Sequence, residues 1–124
     1  MVTAISAKFL KSVPCFTGLA PKARERLLGS AIARTFAKGE LIILEGEPCP
    51  GVFVVESGAV KLYQSSAGGK EQIIRIIRHG GCFECAPIFY RGPNPMSAQA
   101  MEATRVYLLP ASDFRSALRT QPEA

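Results

Sequence analysis

The sequence predicts a mainly β protein with flanking helices, folded as a double-stranded β-helix or jelly roll. Three observations predict it. Between Ala31 and Leu109 the chain breaks into short apolar runs of strand length. Glycine-bearing turns cut those runs at Lys38-Gly39-Glu40, Glu45-Gly46-Glu47, Ser57-Gly58, Ser65–Lys70 and His79-Gly80-Gly81. Helical periodicity is confined to the two ends of the chain. Many short strands joined mostly by tight turns suit a double-sheet jelly roll.

The elements follow in order. Residues 1–30 read as an N-terminal helical segment, in which Ile5 and Phe9 lie four apart on one face. After the break at Val13-Pro14, Pro21 suits the first position of a second helix. That helix, Lys22 to Leu28, offers Ala23, Leu27 and Leu28 as its apolar side and Arg24, Glu25 and Arg26 as its wet side. Gly29 is its expected stop. Residues 31–110 form the jelly roll, with strands expected over Ala31–Phe36, Leu41–Leu44, Val52–Glu56, Ala59–Gln64, Glu71–Arg78, Ser97–Ala103 and Arg105–Leu109. Ile73-Ile74-Arg75-Ile76-Ile77 is apolar on both alternations, which predicts a central strand buried on both faces. Gly39, Gly46, Gly58 and Gly80 stand where consecutive strands reverse and positive φ is needed. Residues 111–124 open a C-terminal helix, with Ser112 as N-cap, Asp113 in the first turn, and Phe114, Ala117 and Leu118 on one face.

The bulk properties bound the function. A chain of 124 residues is expected to hold one domain with one core. Apolar residues make up 48% and charged residues 20%, which is ordinary for a globular protein, and no apolar run approaches a membrane span. The N-terminus lacks a basic start followed by an apolar stretch, so the reading is cytoplasmic with no membrane partner. The net charge of +5 comes from residues scattered over many segments, among them Lys8, Lys22, Arg34, Lys61, Arg75 and Arg115. A nucleic-acid footprint clusters on one face, and this charge does not. The four cysteines (Cys15, Cys49, Cys82, Cys85) are expected to be reduced thiols acting as small apolar residues.

No catalytic arrangement is evident. The single histidine, His79, has no nucleophile and acid partners in the sequence, and Gly69-Lys70 lacks the spacing and the following Ser/Thr of a phosphate-binding loop. The expectation is a non-enzyme with no cofactor. Cys82-Phe83-Glu84-Cys85 is a C-x-x-C pair with His79 three residues upstream, a spacing that could supply part of a metal site or a redox pair. Against this, a structural zinc site takes four ligands, and Cys15 and Cys49 form no second pair. Core or pocket-lining cysteines are the simpler reading.

An ordered set of motifs then identifies a family. Phe16-Thr17-Gly18-Leu19, Phe36-Ala37-Lys38-Gly39-Glu40, Glu45-Gly46-Glu47, the run Val54 to Tyr63 and Gly69-Lys70-Glu71-Gln72-Ile73-Ile74 occur in sequence. So do Ser97-Ala98-Gln99-Ala100 and Val106-Tyr107-Leu108-Leu109-Pro110 followed by Asp113-Phe114. Across nearly its whole length the chain resembles the sensory, cyclic-nucleotide-binding-like domain of the catabolite activator / fumarate-nitrate regulator (CRP/FNR) family of bacterial transcription factors. The resemblance implies a small-molecule effector, a homodimer for the full-length protein, and DNA contact only through a C-terminal helix-turn-helix domain. Neither that domain nor the long dimerisation helix before it is found in these residues, so a fragment of a longer regulator is expected, with a truncated protein as the alternative.

The same resemblance makes Gly80–Ala98 the ligand cassette. It comprises a glycine turn, Cys82-Phe83, a helical turn through Ala86, Ile88 and Phe89, a Gly/Pro/Asn loop, and Ser97-Ala98 opening the next strand. In cyclic-nucleotide-binding members a glycine lets the backbone approach the ligand, a glutamate holds the ribose hydroxyl and an arginine pairs with the phosphate. By position these become Glu84, Cys85 and Met96, and only Ser97 and Ala98 match. The candidate pocket is therefore Glu84, Cys85, Ala86, Ile88, Met96, Ser97 and Ala98. Arg91 and the amides around Cys85–Ile88 offer a place for a different anion, with Arg91 as a solvated loop charge the plainer reading. Cyclic AMP and cyclic GMP are not the expected ligands. Two alternatives stay open: a thiol- or metal-based redox sensor using Cys82 and Cys85, and a stand-alone interaction module of the cyclic-nucleotide-binding type.

Overall fold

The computed structural model describes residues 21–83 and 93–119. The elements run α1 (Pro21–Ser30), β1 (Ile32–Phe36), β2 (Leu41–Ile43), β3 (Gly51–Ser57), β4 (Val60–Ser65), β5 (Glu71–Ile77), β6 (Cys82–Phe83), β7 (Ser97–Ala100), β8 (Thr104–Pro110) and α2 (Ala111–Arg119). The strands form two four-stranded antiparallel sheets, β1-β8-β3-β6 and β2-β7-β4-β5. This is the jelly roll that the short, turn-separated runs predict. The N-terminal helix expected around Ile5 and Phe9 falls outside the described residues.

The two sheets face each other across one core. Phe53, Val55, Val106, Leu108 and Phe83 from the first sheet meet Ile43, Val60, Leu62, Ile77 and Ala98 from the second. Alternation along β4 shows how the sequence builds it: Val60 and Leu62 are buried while Lys61 and Tyr63 are only half-covered. On the outer surface Lys61 pairs with Glu71 and lies 5.2 Å from the Tyr63 ring centre. Helix α1 buries Ala23 and Leu27 and exposes Glu25 and Arg26, as its pattern predicts; it also gives Ser116 of α2 a hydrogen bond from Arg26.

Gly58 illustrates why the turns are written with glycine. Its φ is +92°, and a Cβ there would lie 2.5 Å from the Ala103 carbonyl oxygen. Both the left-handed backbone and the close approach exclude a side chain. Thr104 closes the same corner, its hydroxyl donating to the Glu102 carbonyl at 2.8 Å and accepting from Ala59 N at 3.3 Å.

Four expectations are corrected. The run Ile73–Ile77 is not a central strand buried on both faces. β5 is the outermost strand of its sheet, and Ile73, Ile74 and Ile76 are 51%, 43% and 42% exposed, with only Ile77 buried. An edge strand has one neighbour and, beyond the roll's interior, nothing to cover its second face. Ile74 is the extra residue of a β-bulge opposite the Leu62–Tyr63 step, a common edge device. Helix α2 begins one residue early, at Ala111, whose amide donates to Pro50 O at 3.0 Å. Ser112 therefore sits within the first turn and not at the N-cap. The strand expected over Ser97–Ala103 stops at Ala100, and residues 101–103 bend into the Gly58 corner. Finally, Cys82 is disulfide-bonded, not reduced.

Candidate functional site

The cassette enters from a turn that is fixed by backbone geometry. Gly80 has φ +82°, and its amide donates to Val55 O at 2.8 Å while Val55 N donates to Gly81 O at 2.9 Å. Gly81 lies so close to the core that a Cβ would meet Ile77 Cγ2 at 2.7 Å. The two glycines thus press the chain against β3, where Cys82 and Phe83 form the short strand β6. Phe83 stacks on Phe53 with ring centres 5.0 Å apart and planes at 9°. This pair welds the start of the cassette to the core.

The exit is fixed as firmly. Asn94 is buried, its amide donates to Glu47 O and its carbonyl accepts from Gly46 N, both at 2.9 Å. Its Nδ2 donates to Leu44 O at 3.1 Å, and its Oδ1 is a buried acceptor with no protein partner. Gln64 Nε2 donates to Pro95 O at 2.9 Å, and the Ser97 hydroxyl accepts from Glu45 N at 2.9 Å. The loop between β2 and β3 is therefore strapped to the cassette exit by side-chain and backbone bonds. The Asn94 role has no signature in the sequence beyond a Pro-Asn-Pro loop.

Met96 is half-buried and packs against the shared core; Ser97 and Ala98 are buried at the start of β7. These three candidate residues form one contiguous run, with Ala98 opposite Leu62 and Ser97 opposite Tyr63. Glu84, Cys85, Ala86, Ile88 and Arg91 lie outside the described residues. His79 is exposed, and its Nδ1 lies 2.6 Å from Glu56 O, so the ring is engaged by the turn that carries it. Among the described residues no group of three or more His, Cys, Asp or Glu could hold a metal ion. Nor is any described helix long and apolar enough to cross a membrane.

The chain is 28% identical over 113 residues to the cyclic AMP receptor protein of Thermus thermophilus, covering 91% of this chain and 52% of that protein. It is 28% identical over 108 residues to a CRP-like cAMP-activated global transcriptional regulator of Mycobacterium tuberculosis, covering 87% of this chain and 48% of the relative. The chain thus spans about half the length of the curated relatives it matches. The crystal structure of the N-terminal domain of a Streptomyces coelicolor transcriptional regulator superposes with a TM-score of 0.79 at 26% identity, covering 93% of this chain and 80% of that one. Residues 33–121 match the cyclic nucleotide-binding domain family, and with these CRP-like relatives the chain belongs to that family, as its motifs predict.

Proposed function

We propose that this chain is the effector-sensing domain of a CRP/FNR-type transcription regulator whose effector is not a cyclic nucleotide. The observation that carries the reading is Met96: a thioether packed on the core stands immediately before Ser97-Ala98. That is where, by resemblance, a nucleotide-binding member has its phosphate-pairing arginine. A buried phosphodiester without that guanidinium costs several kcal/mol. Cys85 in place of the ribose-holding glutamate removes about 1–3 kcal/mol more. Together these weaken binding at least about a thousandfold. Glu84 adds a carboxylate where the backbone would approach the phosphate.

In this reading the cassette residues Glu84, Cys85, Ala86, Ile88, Met96, Ser97 and Ala98 line the effector pocket. The domain partition is residues 1–30, 31–110 and 111–124, the last leading into a dimerisation helix. The full-length protein is a homodimer that contacts DNA through a further domain, and it performs no catalysis. An effector stabilises whichever cassette arrangement it binds more tightly, and the equilibrium of the regulator follows. The test is a titration of cyclic AMP and cyclic GMP against the native chain and a Cys85→Glu/Met96→Arg variant. The native chain is expected to show no saturable binding below millimolar, with the double variant gaining measurable affinity for cyclic AMP.

One observation favours a second reading. Cys82, which is disulfide-bonded, lies on β6 at the start of the cassette. Reduction of that bond would free the Cys82 thiol at the cassette entry, which suits a thiol-based redox sensor. Thiol counting before and after treatment with a dithiol reductant decides it. A thiol count unchanged by reduction, in a protein whose far-UV spectrum is also unchanged, removes this reading.

A further inference from the structure

The inner face of the second sheet carries a cation two strands across from the run that holds Met96. Across β7, β4 and β5 the register sets Ala100, Val60 and Ile77 in one row and Ala98, Leu62 and Arg75 in the next. Cross-strand partners share a face, and Arg75 also stands two residues from buried Ile77, so two independent counts put Arg75 on the interior side. Ala98 and Leu62 belong to the shared core, whereas Arg75 is exposed at the outer strand. One step further along the face, Gln64 stands opposite Gln72 and holds Pro95 O, which positions Met96. Ala98 and Arg75 thus flank Leu62 from neighbouring strands, and Met96 stands two residues before Ala98.

The charge at this rim is uncommitted. Among the described residues the ion pairs are Lys61 with Glu71 and Arg105 with Glu56; neither involves Arg75. Lys61 lies on the opposite face of the same sheet, as its pairing with exposed Ile76 shows. A guanidinium at the edge of an apolar row, with its five donors unused by a carboxylate, is a receptor for a planar anion.

The geometry points to an organic monoanion as the effector, its apolar body toward Met96 and Leu62 and its carboxylate on Arg75. This rests on the reading above that the site holds an effector other than a cyclic nucleotide. A carboxylate matches the guanidinium fork bidentately.

The probes are octanoate and 1-octanol, which share an apolar body and differ in the charged end, titrated calorimetrically against the full chain. Octanoate is expected to bind at least about tenfold more tightly than 1-octanol, the scale of one charge-assisted contact. Arg75→Gln is expected to abolish that difference and Arg75→Lys to retain part of it. Because Arg75 is exposed and unpaired, both variants should keep the native thermal midpoint. If Arg75→Gln fails to fold, the comparison of the two probes on the native chain and on Arg75→Lys still decides. Octanoate no tighter than 1-octanol, octanoate indifferent to Arg75, or no saturable binding of octanoate overturns the inference. A parallel cyclic AMP titration separates the two failures: micromolar nucleotide binding defeats the reading of the site, whereas indifference to Arg75 defeats only the monoanion.

Discussion

The two sheets of this roll are built to different standards. In the first, β3 lies between β8 and β6, and every residue from Gly51 to Val55 is buried. Its neighbour β8 buries Thr104 and the whole run from Val106 to Leu109. In the second, β5 has a single neighbour, a bulge at Ile74 and six of its seven residues exposed. The first sheet also anchors both fixed ends of its surroundings: Phe83 stacks on Phe53, and α2 starts from the Pro50 carbonyl. The difference teaches a division of labour. The strands β3 and β8 supply much of the buried core, whereas β5 presents a sparsely covered edge.

Substitutions break or sharpen that contrast. The largest effect is expected at Leu109, which is fully buried in β8. Leu109→Ala should cost about 2–5 kcal/mol, read as a lowered denaturant midpoint at unchanged slope. Gly58→Ala comes next, at about 1–3 kcal/mol, because a side chain meets both the positive φ and the Ala103 carbonyl. Ile76→Ser, on the outer face of β5, should shift stability by no more than about 0.5 kcal/mol despite removing an isoleucine from a strand. Equal losses from Leu109→Ala and Ile76→Ser would remove the contrast and would mean that β5 is covered in solution.

How much of this was legible in the sequence depends on the range of the interaction involved. Turn glycines are local, and Gly39, Gly46, Gly58 and Gly80 all have the positive φ that their positions imply. The amphipathic pattern of α1 is local too, and Ala23 and Leu27 are buried as written. Strand order is not local. Ile73–Ile77 reads the same whether it lies at the centre or the edge, because its alternation is apolar throughout; only pairing with β4 on one side decides. β6 is two residues long, too short for any period, and exists because Gly80 and Gly81 deliver Cys82 and Phe83 to β3.

The site was legible in its frame more than in its contacts. Ser97 and Ala98 could be placed from their motif, and Met96 from its distance to them. The Asn94 strap and the inward Arg75 could not, since each depends on a partner 30 or more residues away or on a strand register. Asn94 reaches Leu44 across 50 positions. Arg75 acquires its place from Leu62 and Ala98, through two strand pairings.

The central claim is that a roll of the cyclic nucleotide-binding family here serves another ligand, and calorimetric titration of the native chain with cyclic AMP tests it most directly. The account predicts no saturable heat below millimolar nucleotide. Saturable binding at low micromolar concentration, one nucleotide per chain, would contradict it.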